Sequence, residues 1–179
     1  MKIITAVESF QKDNNKIYCF LGGGITKCWN WQKEVIEELK RYDLNNYGKL
    51  DDLVILNPRR DNFPINDPNA SFEQINWEFW SISDSDIFSM YFAGNTDSPQ
   101  PICFYELGRF LGYGNLNNLV LTVEDDFIRK DDVKIQTQLV ADMSSYIVNI
   151  NNNVEQHVFS IIMKYFEIQE DRLATAFES

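Results

Sequence analysis

The sequence predicts an α/β fold in which helices cover both faces of a mostly parallel, five-stranded sheet. Short apolar segments alternate five times with longer segments of helical periodicity. Parallel neighbouring strands need crossover helices, and these crossovers are right-handed. No internal repeat interrupts the order. We therefore expect a single-domain, Rossmann-like (flavodoxin-like) three-layer sandwich.

The first two strand and helix pairs are predicted between residues 16 and 83. KIYCFLGGGIT (16–26) indicates a buried strand that ends in a turn of three glycines. The helix in WNWQKEVIEELKRY (29–42) is indicated by apolar residues at helical spacing: Trp31, Val35, Ile36 and Leu39. A second strand over Leu53 to Leu56 is ended by Asn57-Pro58. SFEQINWEFWSIS (71–83) predicts a second helix, with Ser71 and Gln74 spaced as in a capping box.

Three more strands and three more helices are predicted in the second half of the chain. DIFSMYFA (86–93), NLVLTV (118–123) and YIVNI (146–150) are apolar runs of strand length. CFYELGRFLGYG (103–114) predicts a helix that Gly112 or Gly114 closes, and KIQTQLVADM (134–143) predicts another. The last helix is expected from about Val154 to Phe166, because apolar residues recur there at helical spacing.

Length and charge limit the class of protein. With 179 residues, of which 44% are hydrophobic, the chain has the size and apolar content of one packed core. We expect one domain over residues 1–179, with its core at about 16–166 and short extensions at both ends. The net charge of −11 argues against nucleic acid as a partner, since phosphate binding requires clustered Lys and Arg.

Neither a membrane nor a metal is expected as a partner. No apolar run approaches the ~20 residues that span a bilayer, and the opening MKIITAVESFQKDNNK is too polar for a signal sequence. The three cysteines, Cys19, Cys28 and Cys103, form no C-x-x-C pair, and the lone His157 is distant in sequence, so no zinc pattern is present. The odd number of apolar-flanked cysteines indicates reduced thiols and a cytoplasmic protein.

Three loops are expected at the carboxyl edge of the sheet, where ligands of such folds bind. They are GGGIT (22–26), NPRRDNF (57–63) and GNTDSPQP (94–101). The glycines either let backbone amides approach a ligand or form a tight turn, and they match no dinucleotide or P-loop motif. Arg59 and Arg60 are suited to a phosphate or carboxylate, or to surface ion pairs. Asp84 and Asp86 are either catalytic or solvated acids at a strand start.

Glu106 is the most unusual of the acidic residues. It lies in CFYELGRFLG (103–112), a run that is otherwise almost wholly apolar or aromatic. A carboxylate among apolar groups loses hydration unless partners offset the loss, so it should be paired, functional or turned towards a cleft. Arg109, three residues on, offers a helix-surface ion pair. Near a helix start the dipole and free amides would keep Glu106 ionised, which makes it a candidate nucleophile.

Several segments together resemble the nucleoside 2-deoxyribosyltransferase family, in particular its bacterial and phage-associated "like" branch. They are CFLGGGIT, WNWQKEVIEELK, LVILNPRRDNFP, EQINWEFWSISDSDIF, SPQPICFYELGRFLG and FIRKDDVKIQTQLV, in this order. The resemblance covers roughly residues 16 to 165, and its most specific piece is ELGR after a Pro-containing loop.

The resemblance implies a role for each matching position. Glu106 corresponds to the nucleophile of the ELG motif, which attacks C1′ of deoxyribose and forms a covalent glycosyl-enzyme. Glu78 corresponds to the acid that protonates the departing base, where the family usually has Asp, and Asp84 and Asp86 are poorer matches. The glycine turn and the two following loops correspond to substrate contacts: Phe20, Gly22, Gly23, Gly24, Asn57, Arg59, Arg60, Asp61, Asp97 and Ser98.

Two positions depart from the family pattern. Some members place a tyrosine on the first strand to orient the nucleophile, and this chain has Phe20 there. The acid six residues before the nucleophile is replaced by Gln100, with Asp97 and Ser98 nearby as substitutes. Large aromatic residues could form a lid that shields the intermediate, or belong to the core or to a subunit interface. They are Trp29, Trp77, Trp80 and Phe63.

The function expected from these residues is cleavage of the N-glycosidic bond of a 2′-deoxynucleoside or its monophosphate, with transfer of the sugar to another nucleobase. Two carboxyl groups in different environments suit the reaction, because one attacks C1′ while the other protonates the base. The alternatives are a hydrolase of the same fold and a non-catalytic nucleotide-binding domain. We expect no cofactor and no metal, and we expect a homo-oligomer in which a neighbouring subunit closes the pocket.

Overall fold

A parallel sheet forms the centre of the computed structural model, which describes residues 1–64, 66–113 and 116–177. Its six strands are β1 (Lys2–Thr5), β2 (Ile17–Gly23), β3 (Leu53–Asn57), β4 (Ile87–Phe92), β5 (Leu119–Val123) and β6 (Ile150–Asn151). They are ordered β1-β3-β2-β4-β5-β6, and every neighbouring pair is parallel. Without β1, this order is the flavodoxin-like one, so the predicted fold class is confirmed.

Five α-helices connect and cover the strands. They are α1 (Trp31–Asn45), α2 (Ala70–Asp84), α3 (Pro101–Gly112), α4 (Lys130–Met143) and α5 (Val154–Phe177), and a 3₁₀ turn spans Leu116–Asn118. Helix α3 ends at Gly112, with Tyr113 as its C-cap, while Gly114 lies outside the described residues. Helix α5 continues 11 residues beyond Phe166, where the prediction ended.

The sheet differs from the prediction at both edges. β1 adds a sixth strand through the register Lys2↔Val54 to Thr5↔Asn57, and its four residues carry too little pattern to stand out in the sequence. At the other edge, β6 contains two residues instead of five. The Ser71–Gln74 capping box is also absent, because α2 begins at Ala70 with Asn69 as its N-cap. Gln74 is therefore free for other contacts.

Two apolar layers enclose the sheet, because alternate residues of each strand face opposite sides. On one face, α1 and α5 pack against the sheet through residues such as Trp31, Leu39 and Ile161. On the other face, α2, α3 and α4 pack against it through residues such as Trp77, Leu107 and Val133. Among the described residues, no helix has the length and apolarity to cross a membrane.

The connections that leave β2 and β4 run in opposite directions. Helix α1 leads from β2 to β3 on one side, and α3 leads from β4 to β5 on the other side and on the opposite face. In open sheets, this point of reversal leaves a crevice beyond the carboxyl ends of the strands. The glycine turn after β2 and the loop 94–100 after β4 lie at this crevice.

Candidate active site

Glu78 and Glu106 are brought together by the packing of α2 and α3 on the same face of the sheet. Helix α3 buries Cys103, Leu107 and Phe110 against the sheet, and Glu106 lies beside this stripe. The charge of Glu78 acts on Glu106, and the charges of both carboxylates raise the pKa of the Cys103 thiol, after the larger effect of burial. Two carboxyl groups that are 28 residues apart in sequence therefore share one partly buried environment.

Burial raises the pKa of Glu106 to about 8, from an ordinary value of 4.5. The negative charge of Glu78 raises it further, while the positive charge of Arg109 lowers it. The expectation that a helix start keeps Glu106 ionised is therefore wrong, because Glu106 is the sixth residue of α3 and the dipole effect is confined to the first turn. Burial thus favours the protonated form of this side chain.

Glu78 is held by a neighbour on its own helix. Gln74 Nε2 donates a hydrogen bond to Glu78 Oε1 at 2.7 Å. Burial raises the pKa of Glu78, and this hydrogen bond partly opposes the rise because it favours the ionised carboxylate. The two carboxyl groups thus differ in their hydrogen bonds, which allows them to titrate separately.

Arg109 does not form the helix-surface ion pair with Glu106 that its spacing suggested. Its guanidinium carbon lies 4.5 Å from the centre of the Phe79 ring on α2, a cation–π contact. Its Nε and Nη2 are buried and have no hydrogen-bond partner among the described residues. Arg109 therefore acts on Glu106 through its charge.

The three glycines of the turn have different surroundings. A Cβ at Gly22 would lie 3.1 Å from Met90 Cε and 3.2 Å from Phe20 Cε1, on the face that carries α2 and α3. At Gly23, where φ is +151°, a Cβ would lie 2.3 Å from the carbonyl oxygen of Tyr91 and 2.5 Å from Trp31. Gly23 is thus required by the packing of Trp31, while Gly22 keeps a side chain out of the α2/α3 face.

Gly24 and Arg59 connect the glycine turn to neighbouring segments. Gly24 lies against Gln100, whose Oε1 would be 2.4 Å from a Cβ at this position. Arg59 donates from Nη2 to the carbonyl oxygens of Gly24 and Trp29, at 3.1 and 3.0 Å, and from Nε to Gln32 at 2.8 Å. Burial lowers the pKa of Arg59. Its guanidinium is committed to holding the turn.

The rest of the loop after β3 is more open. Asn57 Oδ1 accepts a hydrogen bond from the amide of Arg59 at 3.1 Å, and Asp61 is exposed. The guanidinium carbon of Arg60 lies 5.4 Å from the centre of the Phe63 ring. Arg60 Nη1 is buried and lacks a hydrogen-bond partner within the described ranges.

The loop after β4 is fixed by Gln100. This side chain is 4% exposed, and it pairs with Ala93 by donating from Nε2 to its carbonyl at 2.7 Å and accepting from its amide at 3.3 Å. Asp97 is exposed, and Ser98 is half-buried, with its amide donating to Thr96 Oγ1 at 3.1 Å. The position where the resemblance expects an acid is therefore occupied by an amide that stabilises the loop.

Glu124 lies at the edge of the candidate site and was not among the residues predicted from the sequence. It follows β5, and it accepts hydrogen bonds from the amide of Gly94, from Tyr91 Oη at 2.6 Å and from Trp29 Nε1 at 3.4 Å. These contacts tie the β4 loop to the segment after the glycine turn. A carboxylate directly after a predicted strand was the signal that would have identified it.

Phe20 and the aromatic residues proposed as a lid have separate positions. Phe20 is 1% exposed and stacks on Phe88, with ring centres 6.2 Å apart, so it contributes to the floor beneath the site and has no hydroxyl group to orient Glu106. Trp77 is buried and donates to the carbonyl of Glu8 at 2.8 Å. Trp80 and Phe63 are 58% and 45% exposed.

Asp86 lies at the opposite edge of the sheet from the crevice. Its carboxylate accepts from the amide of Tyr18, at the start of β2, at 2.8 Å. It also forms ion pairs with Lys12 and Arg172. Asp84 is the last residue of α2, and its carbonyl accepts from Lys12 at 2.6 Å. Neither acid shares the environment of Glu106.

The fold and site define an α/β protein of flavodoxin-like topology with two partly buried carboxyl groups between adjacent helices. A family described as "Nucleoside 2-deoxyribosyltransferase like" matches residues 16–127, which is more than half of the chain. The chain therefore belongs to the nucleoside 2-deoxyribosyltransferase-like family. The match includes both carboxyl groups and ends before α4, so it covers only the first residue of FIRKDDVKIQTQLV. Comparison with curated proteins finds no match.

Proposed function

We propose that this protein cleaves the N-glycosidic bond of a 2′-deoxynucleoside, or of its monophosphate, and transfers the deoxyribose to another nucleobase. The observation that supports this function is the pairing of Glu106 with Glu78 in one partly buried environment. Membership of the nucleoside 2-deoxyribosyltransferase-like family supports the same class of substrate.

In the first step, an oxygen of Glu106 attacks C1′ of the deoxyribose. The C1′–N bond breaks, and its electron pair goes to the base nitrogen. Glu78 donates its proton to a ring nitrogen of the departing base, which offsets the charge that would otherwise develop there. The products of this step are a glycosyl ester on Glu106, an ionised Glu78 and the free base.

In the second step, a ring nitrogen of an acceptor base attacks C1′ of the ester. The bond between C1′ and the Glu106 oxygen breaks, and the electron pair returns to the carboxylate. The N–H proton that the acceptor base loses passes to Glu78, which restores the starting protonation. The sequence of steps needs no oxidant and no net gain of protons.

The raised pKa of Glu106 is compatible with a nucleophile because the reaction needs one proton on the pair. Burial raises the pKa of both carboxyl groups, that of Glu106 to about 8, and so favours one proton on the pair at neutral pH. The reactive form has the same total charge, with the proton on Glu78 instead. A substrate that accepts a hydrogen bond from Glu78 and places its electron-poor C1′ beside Glu106 favours this second arrangement.

The sugar is proposed to lie against the glycine turn, where Gly22 presents no side chain on the face of α2 and α3. The other proposed substrate contacts, or supports for them, are Phe20, Gly23, Gly24, Asn57, Asp61, Asp97 and Ser98. Arg59 supports the turn through its bonds to Gly24 and Trp29. For a monophosphate substrate, Arg60 is the better candidate because its Nη1 has no hydrogen-bond partner among the described residues.

Hydrolysis is the second candidate activity. Transfer requires that water be kept from the covalent intermediate, and two of the aromatic residues considered for a lid, Trp80 and Phe63, are largely exposed. If water reaches C1′, the same carboxyl pair releases free sugar. A nucleotide-binding domain without turnover is the third candidate, supported by Phe20 and Gln100 at positions where the family pattern has other residues.

We also propose a homo-oligomer. The outer face of α2 exposes large apolar side chains: Phe72, Ile75, Phe79 and Trp80. An apolar surface of this kind is typical of a subunit interface. A neighbouring subunit on this face would cover the region of Glu78 and Glu106 and exclude water from the intermediate.

A trapped glycosyl ester tests the proposed function. A 2′-fluorinated deoxynucleoside destabilises the oxocarbenium-like transition state, so we expect a covalent sugar adduct on the wild-type protein, mapped to Glu106 by peptide mass spectrometry. Glu106→Ala should form no adduct. Release of free base from the natural substrate, with and without an acceptor base, separates transfer from hydrolysis. A fully active Glu106→Ala variant would exclude the proposed nucleophile.

A further inference from the structure

Gln74 lies between Glu78 and the carboxyl end of β3. Its Nε2 donates to Glu78 Oε1 at 2.7 Å and to the carbonyl oxygen of Pro58, the residue after β3, at 2.7 Å. Since an amide nitrogen has two hydrogens, these two acceptors use both of them. The side chain is thus fixed on the same face of α2 as Glu78, one helical turn closer to the crevice.

Gln74 Oε1 is the acceptor that remains. It is buried and has no hydrogen-bond partner within residues 1–64, 66–113 and 116–177. Rotating the amide by half a turn would place this oxygen against the Pro58 carbonyl and the Glu78 carboxyl group, which are both acceptors. The two neighbouring acceptors therefore determine which atom of the Gln74 amide is the nitrogen and which is the oxygen. A buried acceptor without a donor is uncommon in folded proteins, and a donor group on a bound ligand would satisfy it.

We propose that Gln74 selects the base, favouring nucleobases that carry an amino group beside the ring nitrogen that Glu78 protonates. This inference rests on the proposed function. Glu78 as an acid presents an O–H donor from Oε2, because Oε1 already accepts from Gln74. Gln74 Oε1 presents an acceptor next to it. The complementary edge of a ligand has a ring nitrogen as acceptor and an adjacent amino group as donor.

Adenine and cytosine have this edge away from the sugar, whereas guanine has it only at N3 and its 2-amino group, beside the glycosidic bond. In adenine the pair is N7 with the N6 amino group, an edge that Gln reads in nucleic-acid complexes. In cytosine it is N3 with the N4 amino group. Hypoxanthine and guanine have an oxygen at position 6, and uracil and thymine have one at position 4. An oxygen there would face Gln74 Oε1, and two acceptors in contact repel each other.

The test compares substrates that differ only at this group. For the wild-type protein, kcat/KM for release of the base should be roughly 10- to 100-fold higher for 2′-deoxyadenosine than for 2′-deoxyinosine, or for 2′-deoxycytidine than for 2′-deoxyuridine. Which pair shows the preference distinguishes a purine edge from a pyrimidine edge, and either result supports the proposal.

Gln74→Met isolates the role of the oxygen, because it keeps the length of the side chain without its polar atoms. We expect the amino-to-oxo ratio to fall to roughly 1- to 3-fold. A loss of rate common to both substrates reports the lost hydrogen bond to Glu78, so the ratio alone reports base selection. Gln138→Met is the matched control, because Gln138 is an exposed residue of α4 that bonds to Asp142, and its ratio should equal that of the wild type.

Two kinds of result would contradict the proposal, and they can be distinguished from each other. A wild-type protein that cleaves amino and oxo substrates equally, or a Gln74→Met variant that keeps the wild-type ratio, would exclude base selection by Gln74 and leave glycosidic cleavage intact. A wild-type protein that cleaves none of the four nucleosides or their 5′-monophosphates and forms no sugar adduct on Glu106 would remove the proposed function, and base selection with it.

Discussion

Replacing Glu106 by Gln should stabilise the folded protein at neutral and alkaline pH. Gln has nearly the shape of a protonated Glu and carries no charge at any pH. In the folded chain, the pKa of Glu106 is raised from 4.5 to about 8 by burial and by the charge of Glu78. A raised folded pKa contributes stability that is complete below pH 4.5 and is lost as the pH rises through 8.

The size of the effect follows from the difference between the pKa of Glu106 in the unfolded chain and its pKa in the folded chain. Each pH unit between the unfolded and the folded pKa reduces the contribution of Glu106 to the free energy of unfolding by about 1.4 kcal/mol. The Gln variant should therefore be more stable than the wild type by about 1 kcal/mol at pH 5 and by about 4 kcal/mol at pH 8. Above pH 8 the difference should stay constant.

Urea unfolding at several pH values measures this difference directly. Glu170→Gln is the control, because Glu170 is exposed on α5, and its stability should stay within about 0.5 kcal/mol of the wild type at each pH. We expect folding to disfavour the ionised form of Glu106. That expectation would be refuted by a Glu106→Gln variant that is less stable than the wild type at pH 8, or whose difference in free energy of unfolding from the wild type does not change with pH.

Three other predictions concern the second acid, a buried histidine and the glycine turn. Glu78→Gln should slow substrates with poor leaving bases far more than activated ones, and equal slowing of both would argue against a proton donor. For the wild type we expect kcat/KM to fall above about pH 8, because the carboxyl pair then loses its last proton. In Glu78→Gln this fall should be absent. His157 is completely buried between Ser89 and Thr122, and burial lowers its pKa to about 3, so the stability of the wild type relative to His157→Leu, measured by urea unfolding, should fall by about 1.4 kcal/mol per pH unit below 6.5. Gly23→Ala should cost about 2–4 kcal/mol of stability because its Cβ would overlap Tyr91 and Trp31, whereas Gly108→Ala, with no atom within 4 Å of its Cβ, should gain up to about 1 kcal/mol.

The sequence carried enough local pattern to predict most of the fold. The strands β2, β3, β4 and β5 are continuous apolar runs, as expected for strands that are buried on both faces. Helix α1 was visible from the spacing of its apolar residues. The edge strands β1 and β6 were missed or misplaced because they contain four and two residues, and so short a segment depends on its neighbour for its conformation.

The candidate site was visible as residue types but not as geometry. Glu106 stood out because its neighbours in sequence are apolar. Gln100 was considered only as a departure from a family pattern, and its pairing with Ala93 depends on a turn that local sequence does not specify. Glu124 and Gln74 were not considered for the site, because their contacts with Gly94 and Pro58 join segments that are distant in sequence.

The sequence by itself determined the order of strands and helices and placed a carboxylate in an apolar helix, because both depend on hydrophobic periodicity along the chain. Only the tertiary structure decided the charge state of that carboxylate and which side chains surround it. Burial in the folded chain removes water from Glu106, and Glu78 on α2 lies within electrostatic reach of it. Desolvation and the interaction of two charges depend on distances through space, which no local pattern of residues encodes.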